Sequence, residues 1–187
     1  MNDNTPINPK DELVTHLGAM RAFAMSLTRN ATLADDIVQD ALVKAWNNIH
    51  SFKPGTNMRA WLFTILRNTY YSHHRKRQRE VEDVEGTMTA GLAQKPDHDG
   101  RLQMRDFSVA FDQLPEEQRE ALILVGASGF SYEEAAETCG VAVGTIKSRI
   151  NRGRARLTEL MQLSDDDPLE ATEAMTQSIV AQNQRLA

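Results

Sequence analysis

The sequence predicts an all-α protein of two small helical domains joined by a flexible linker. Three observations carry this. Apolar residues recur at three- and four-residue spacings, helix-start and helix-stop signals punctuate them, and the composition changes abruptly near the middle of the chain. At 187 residues the chain is long enough for one ordinary domain or two small ones. Domains of about 60–80 residues bury little core each, and bundles of short helices are the stable solution at that size.

The elements follow in order. Leu13, Leu17, Met20, Ala24 and Leu27 recur three or four apart and predict an amphipathic helix. Thr32 with Asp35 reads as an N-cap with an acid in the first turn, a weak form of the capping box. The helix it opens sets Ile37, Ala41, Leu42, Ala45 and Trp46 on one side. Phe52-Lys53-Pro54-Gly55-Thr56 is a turn, because Pro and Gly together break regular structure. A long third helix carries Met58, Trp61, Leu62, Ile65, Leu66 and Thr69 as its inward stripe and runs out into the basic string His73–Arg79. These helices make a first domain over 11–79. Residues 80–104 turn acidic and poor in aromatics, with Pro96 near the middle, and read as a flexible linker.

The second domain spans 105–161. Pro115 followed by Glu116 and Glu117 starts a helix, since Pro suits its first position and acids suit the positive dipole end. Ser131 with Glu134 is a capping box that opens a short helix, which Gly140 ends. A final helix covers about Val143–Met161. The tail, 162–187, is acidic and then weakly amphipathic through Leu169, Met175, Ile179 and Val180; no role is assigned to it.

Composition excludes several classes. No run reaches the roughly 18–20 apolar residues of a membrane span. The opening MNDNTPINPKDE lacks a basic stretch followed by an apolar one, so secretion is not expected. A lone Cys139 rules out an intramolecular disulfide, fits a reducing cytoplasm, and is expected to pack between helices. The net charge of −5 argues against nucleic-acid binding until it is mapped: twelve of the 21 Lys and Arg residues fall in two acid-free stretches, Lys53–Arg79 and Gly140–Leu157. Phosphate attraction is screened beyond about 8 Å at physiological salt, so local patches matter more than the sum.

Tyr132 to Arg149 has the pattern of a helix-turn-helix. Ala136 is small where two helices must cross, Gly140 tolerates positive φ at the turn, and Val141, Ile146 and Ile150 anchor the second helix. At 100° per residue Ile146, Ile150, Gly153 and Leu157 share one face. Ser148, Asn151 and Arg152 lie opposite, flanked by Lys147 and Arg149, as expected of a helix laid in a major groove. A solvated basic face on an ordinary hairpin is the plainer reading.

Within Lys53–Arg79, aromatic and flat polar side chains interleave with cations, the combination that captures unpaired bases. Asn68, Tyr71 and Arg75 recur at i, i+3 and i+7, while Trp61 and Phe63 also suit a core. No Cys or carboxylate set accompanies His73 and His74, so metal ligation is not expected. On the second helix Asp36, Gln39 and Asp40 share a polar face: either a solvated surface or a protein-docking ridge.

These residues reach a known family. Asp35–Trp46 resembles the polymerase-binding helix of extracytoplasmic-function (ECF) sigma factors, Phe52–Asn68 their segment that melts and reads the −10 element, and Leu114–Leu157 their region 4, which reads the −35 element. Pro54–Phe63 and Val125–Glu134 are most similar to the general-stress-response (EcfG) group of alphaproteobacteria. The resemblance implies a non-enzymatic subunit that directs RNA polymerase to stress-response promoters without a cofactor. It also implies an anti-sigma factor of the NepR type, relieved by a PhyR-type response regulator. Transferred by position, Asp36, Gln39 and Asp40 would contact core RNA polymerase. Asn57, Met58, Asn68 and Tyr71 would lie near the −10 single strand, with Lys53, Arg59 and Arg75 on phosphates. Thr145, Lys147, Ser148, Arg149 and Arg152 would face the −35 duplex.

The alternatives are weaker. No phosphate-binding glycine loop, metal-ligand cluster or nucleophile with a base suggests an enzyme. A sigma-like decoy that binds the anti-sigma factor would need no cationic recognition helix. A stand-alone repressor leaves the Asp36/Gln39/Asp40 helix unexplained.

Overall fold

A computed structural model describes residues 9–82 and 99–162, with 174, 176–178 and 181 of the tail. All regular elements among the described residues are helical. They are α1 (Pro9–Thr15), α2 (Leu17–Thr28), α3 (Ala31–Asn47), a 3₁₀ turn (Ile49–Ser51), α4 (Met58–Glu82), α5 (Asp99–Asp112), α6 (Glu116–Leu122), a π-helical turn (Ile123–Ala127), α7 (Tyr132–Cys139) and α8 (Val143–Met161). Helices α4 and α5 thus reach into the span 80–104 from both ends; the rest of the expected linker, 83–98, lies outside the described residues, as does most of the tail.

The first domain packs α2, α3 and α4 around Met20, Phe23, Leu27, Ile37, Ala41, Leu62 and Leu66, all buried. Three local expectations change. The single first helix is broken at His16, whose N–H donates to Leu13 O at 3.2 Å before α2 begins. The cap of α3 is Asn30, whose Oδ1 accepts from Leu33 N at 2.9 Å. Thr32 is the second residue of the helix, and Asp35 instead accepts from Arg21 Nε at 2.6 Å. Trp46 does not join the apolar side: it is 52% exposed, with Lys10 Nζ 4.2 Å above its ring.

The second domain seats α8 against α5 and α6 through Ile146, Ile150, Gly153 and Leu157, the expected inward stripe. Gly153 is required by proximity, since a Cβ there would stand 2.9 Å from Leu122 Cδ1 and 3.4 Å from Gln118 Cβ. The capping box forms in full: Ser131 Oγ accepts from Glu134 N at 3.0 Å, and Glu134 Oε2 accepts from Ser131 N at 2.8 Å. Gly140 closes α7 at φ 66°, the left-handed conformation that costs glycine nothing.

The two domains are docked, and α4 is the shared element. Its inward stripe faces α2 and α3 as expected, but Phe63 and Tyr70, off that stripe, are buried as well. The second domain covers them. Phe23, Phe63 and Phe130 form a chain of ring contacts, with centroids 5.0 and 5.1 Å apart, that runs from one domain's core into the other's. The rings are tilted at 33° and 46° to one another, and aromatic pairs contribute about 0.5–1.5 kcal/mol each beyond the area they bury.

Candidate nucleic-acid interface

The polar face of α3 is open. Asp36, Gln39 and Asp40 are exposed, and Val43 (60% exposed) and Trp46 extend the ridge with apolar surface. Asp40 Oδ2 meets His73 Nε2 of α4 at 2.7 Å. An exposed ridge mixing carboxylates with large apolar groups suits a cationic, amphipathic protein surface.

The residues expected at a melted strand divide into three sets. Lys53, Asn68 and Arg75 are exposed. Asn68 lines a cavity of about 370 Å³ between α3 and α4, together with Lys44, Trp61, Ile65, Thr69 and Ser72. Lys44 Nζ donates to Thr69 Oγ1 across its floor at 3.0 Å. Met58 is buried in the first domain's core and does not reach the surface. The third set, Asn57, Arg59 and Tyr71, is turned toward the second domain. Asn57 Nδ2 donates to Glu134 Oε1 at 2.5 Å. Arg59 donates to Gly129 O at 3.2 Å and lies 4.6 Å over the Phe130 ring. Tyr71 Oη meets Glu120 Oε2 at 3.5 Å. Asn68, Tyr71 and Arg75 share a sector of about 60° on α4, but Tyr71 at one edge is half-buried against the second domain while Asn68 stays exposed on the cavity side.

Glu120 organises this junction, and little in its sequence neighbourhood marks it out. Its side chain is wholly buried and receives Arg67 in a two-point pair, Nε to Oε1 at 2.6 Å and Nη2 to Oε2 at 3.3 Å. Burial raises its pKa, and the hydrogen bond from Arg67 only partly opposes this. Burial likewise raises the Tyr71 phenol, with Glu120 and Glu116 adding to the effect, and pushes the buried Cys139 thiol up to about 12, again with Glu120 contributing. Only its position just before the apolar run Ala121–Leu124 hinted that Glu120 faces inward.

On α8, Lys147 and Arg152 are exposed, and Lys147 Nζ lies 5.7 Å from the Tyr132 ring centre. Thr145 and Ser148 are half-buried, with Ser148 Oγ donating to Thr145 O at 2.9 Å. Arg149 departs from the outward face expected of it. It is half-buried, its Nη1 has no hydrogen-bond partner, and its charge is felt by Glu120 and Cys139. Among the described residues no group of His, Cys, Asp and Glu could hold a metal ion, and no helix is long and apolar enough to cross a membrane.

Residues 13–80 match the family model of Sigma-70 region 2 and residues 104–157 that of Sigma-70 region 4. The chain is 55% identical over 152 residues to the ECF RNA polymerase sigma factor EcfG of Rhodopseudomonas palustris, covering 81% of this chain and 84% of that protein. It resembles the sigma factor RpoE of Bartonella quintana, solved in complex with the anti-sigma factor NepR. That match has a TM-score of 0.74 and 53% identity over 83% of this chain and 97% of that one. The PhyRSL–NepR complex of Sphingomonas sp. Fr1 shares the fold, with a TM-score of 0.62 at 18% identity over 84% of this chain and 92% of that one.

Proposed function

Because the chain belongs to the ECF RNA polymerase sigma factors, non-catalytic subunits for transcription initiation, we propose that it directs the enzyme to general-stress promoters in the cytoplasm under control of a NepR-type anti-sigma factor. One observation carries the residue-level reading: a base-sized cavity lined by Asn68 on region 2 and an exposed cationic helix behind the Gly140 turn occur in one chain.

The open ridge of Asp36, Gln39 and Asp40 docks on core polymerase, with Val43 and Trp46 supplying apolar contact. The cavity between α3 and α4 receives an unstacked base of the −10 strand, held by the Asn68 amide and flanked by Trp61. Lys53 and Arg75 take neighbouring phosphates, and Asn57, Arg59 and Tyr71 join once they are released from region 4. On the −35 duplex Lys147 and Arg152 make the leading contacts, Thr145 and Ser148 lie at the edge of the groove, and Arg149 follows only if it swings away from Glu120. The NepR assignment is supported by the 53% identity to a sigma factor crystallised with that partner.

Run-off transcription with purified core polymerase tests the reading. A specific transcript that requires this chain, and that a NepR-type protein suppresses, is expected. Absence of any transcript from a chain that fails to bind core polymerase would refute it.

A further inference from the structure

We propose that His73 is a positioning residue for polymerase docking: from α4 it holds the Asp40 carboxylate of α3 in the orientation in which the ridge presents it. The proposal rests on the reading of Asp36, Gln39 and Asp40 as the polymerase face, and it concerns a residue on the neighbouring helix.

His73 opens the basic string His73–Arg79, and by residue type alone it would serve a phosphate. The structure gives it another partner. Its Nε2 lies 2.7 Å from Asp40 Oδ2. An ionised carboxylate only accepts, so Nε2 carries the proton and donates. A carboxylate has two oxygens, and this bond leaves acceptor capacity for a donor from outside the chain.

The backbone delivers His73 to this point. Asp40 and Lys44 lie one turn apart on α3, and Thr69 and His73 one turn apart on α4. Lys44 Nζ donates to Thr69 Oγ1 at 3.0 Å, so the two bonds are successive rungs of one seam between antiparallel helices. Thr69 is buried and fixes the inner rung. The outer rung is half open, with the His73 side chain 37% and that of Asp40 53% exposed. A pair this exposed adds little to folding stability. Its effect falls on docking, because a side chain already held in one rotamer loses less freedom when a partner closes on it.

Equilibrium binding of labelled core polymerase to the full chain tests this with the wild type, His73→Ala, Asp40→Ala and the double variant. His73→Ala is expected to weaken binding about threefold, the size of ordering one more side chain on docking. The same change made beside Asp40→Ala is expected to cause no further loss. His73→Gln, whose amide N–H stands where Nε2 was, should recover most of the affinity, and melting temperatures should stay close to wild type. An equal loss with and without Asp40→Ala, a His73→Gln chain as weak as His73→Ala, or no loss at all would each overturn the proposal. So would an effect confined to promoter DNA with core affinity intact, which would return His73 to a phosphate. The ridge reading fails separately: Asp40→Ala alone then leaves core affinity unchanged, and the role of His73 falls with it.

Discussion

Two faces of region 2 meet opposite fates. The polar ridge of α3 lies open from Asp36 to Trp46, whereas the cation-aromatic face of α4 is in part occupied by region 4 through Asn57, Arg59, Arg67 and Tyr71. The open face is the one suited to a protein and the occupied face the one suited to nucleic acid. Under the proposed roles the contrast orders the events, with the polymerase face accessible before the promoter face. It also explains why a region 2 rich in aromatic groups need not expose them in the free chain.

That contrast can be broken from its open side first. Asp40→Lys reverses charge on the ridge and is expected to weaken association with core polymerase by about tenfold or more, since like charges set against each other cost several kcal/mol. Equilibrium binding of labelled core enzyme checks this, and equal affinity would remove Asp40 from the docking face. On the occupied side, Gly153→Ala forces a methyl against Leu122. It is expected to destabilise the region 4 bundle by about 1–3 kcal/mol, read as a lower melting temperature with polymerase binding through α3 retained. Ser131→Ala removes the cap of α7 and is expected to cost about 1 kcal/mol, loosening the helix that carries Glu134 to Asn57.

The smallest expected effect is that of pH. Burial raises the Glu120 pKa in the closed chain above the ordinary glutamate value of 4.5, and separating the domains admits water and brings it back down. The closed form therefore binds more protons, so lowering pH toward 4.5 favours closure and raising it favours opening. Energy transfer between fluorophores on cysteines introduced at the exposed positions Thr15 and Ala155 should rise as pH falls, and Glu120→Gln, which mimics the neutral acid, should hold it near its low-pH value at every pH.

Most of the helices were legible in the sequence because their signals are local. The capping box at Ser131, the stop at Gly140 and the inward stripe of α8 depend on residues within a few turns of one another. The ends of the first domain were harder. The break at His16 interrupts an apolar series that keeps its period across it, and Asn30 outcompetes Thr32 as a cap because Asp35 is drawn to Arg21, fourteen residues away. The site was legible in its residue types and less so in its faces. Periodicity along α4 identified the side packed on α2 and α3 but could not show that a second partner covers Phe63, Tyr70 and Tyr71. Packing of α8 on α6 within the second domain likewise leaves Arg149 half-buried and its charge felt by Glu120, a neighbourhood between helices that no spacing within α8 encodes.

The buried thiol of Cys139 has one more consequence. Held up to about 12 by burial beside Glu120, it carries almost no thiolate at neutral pH, and alkylating reagents or peroxide find little to attack while the domains stay docked. Its rate of modification is thus a clock on the natural chain: it should run slowly when the junction is shut and faster whenever region 4 lifts away and water reaches the sulfur.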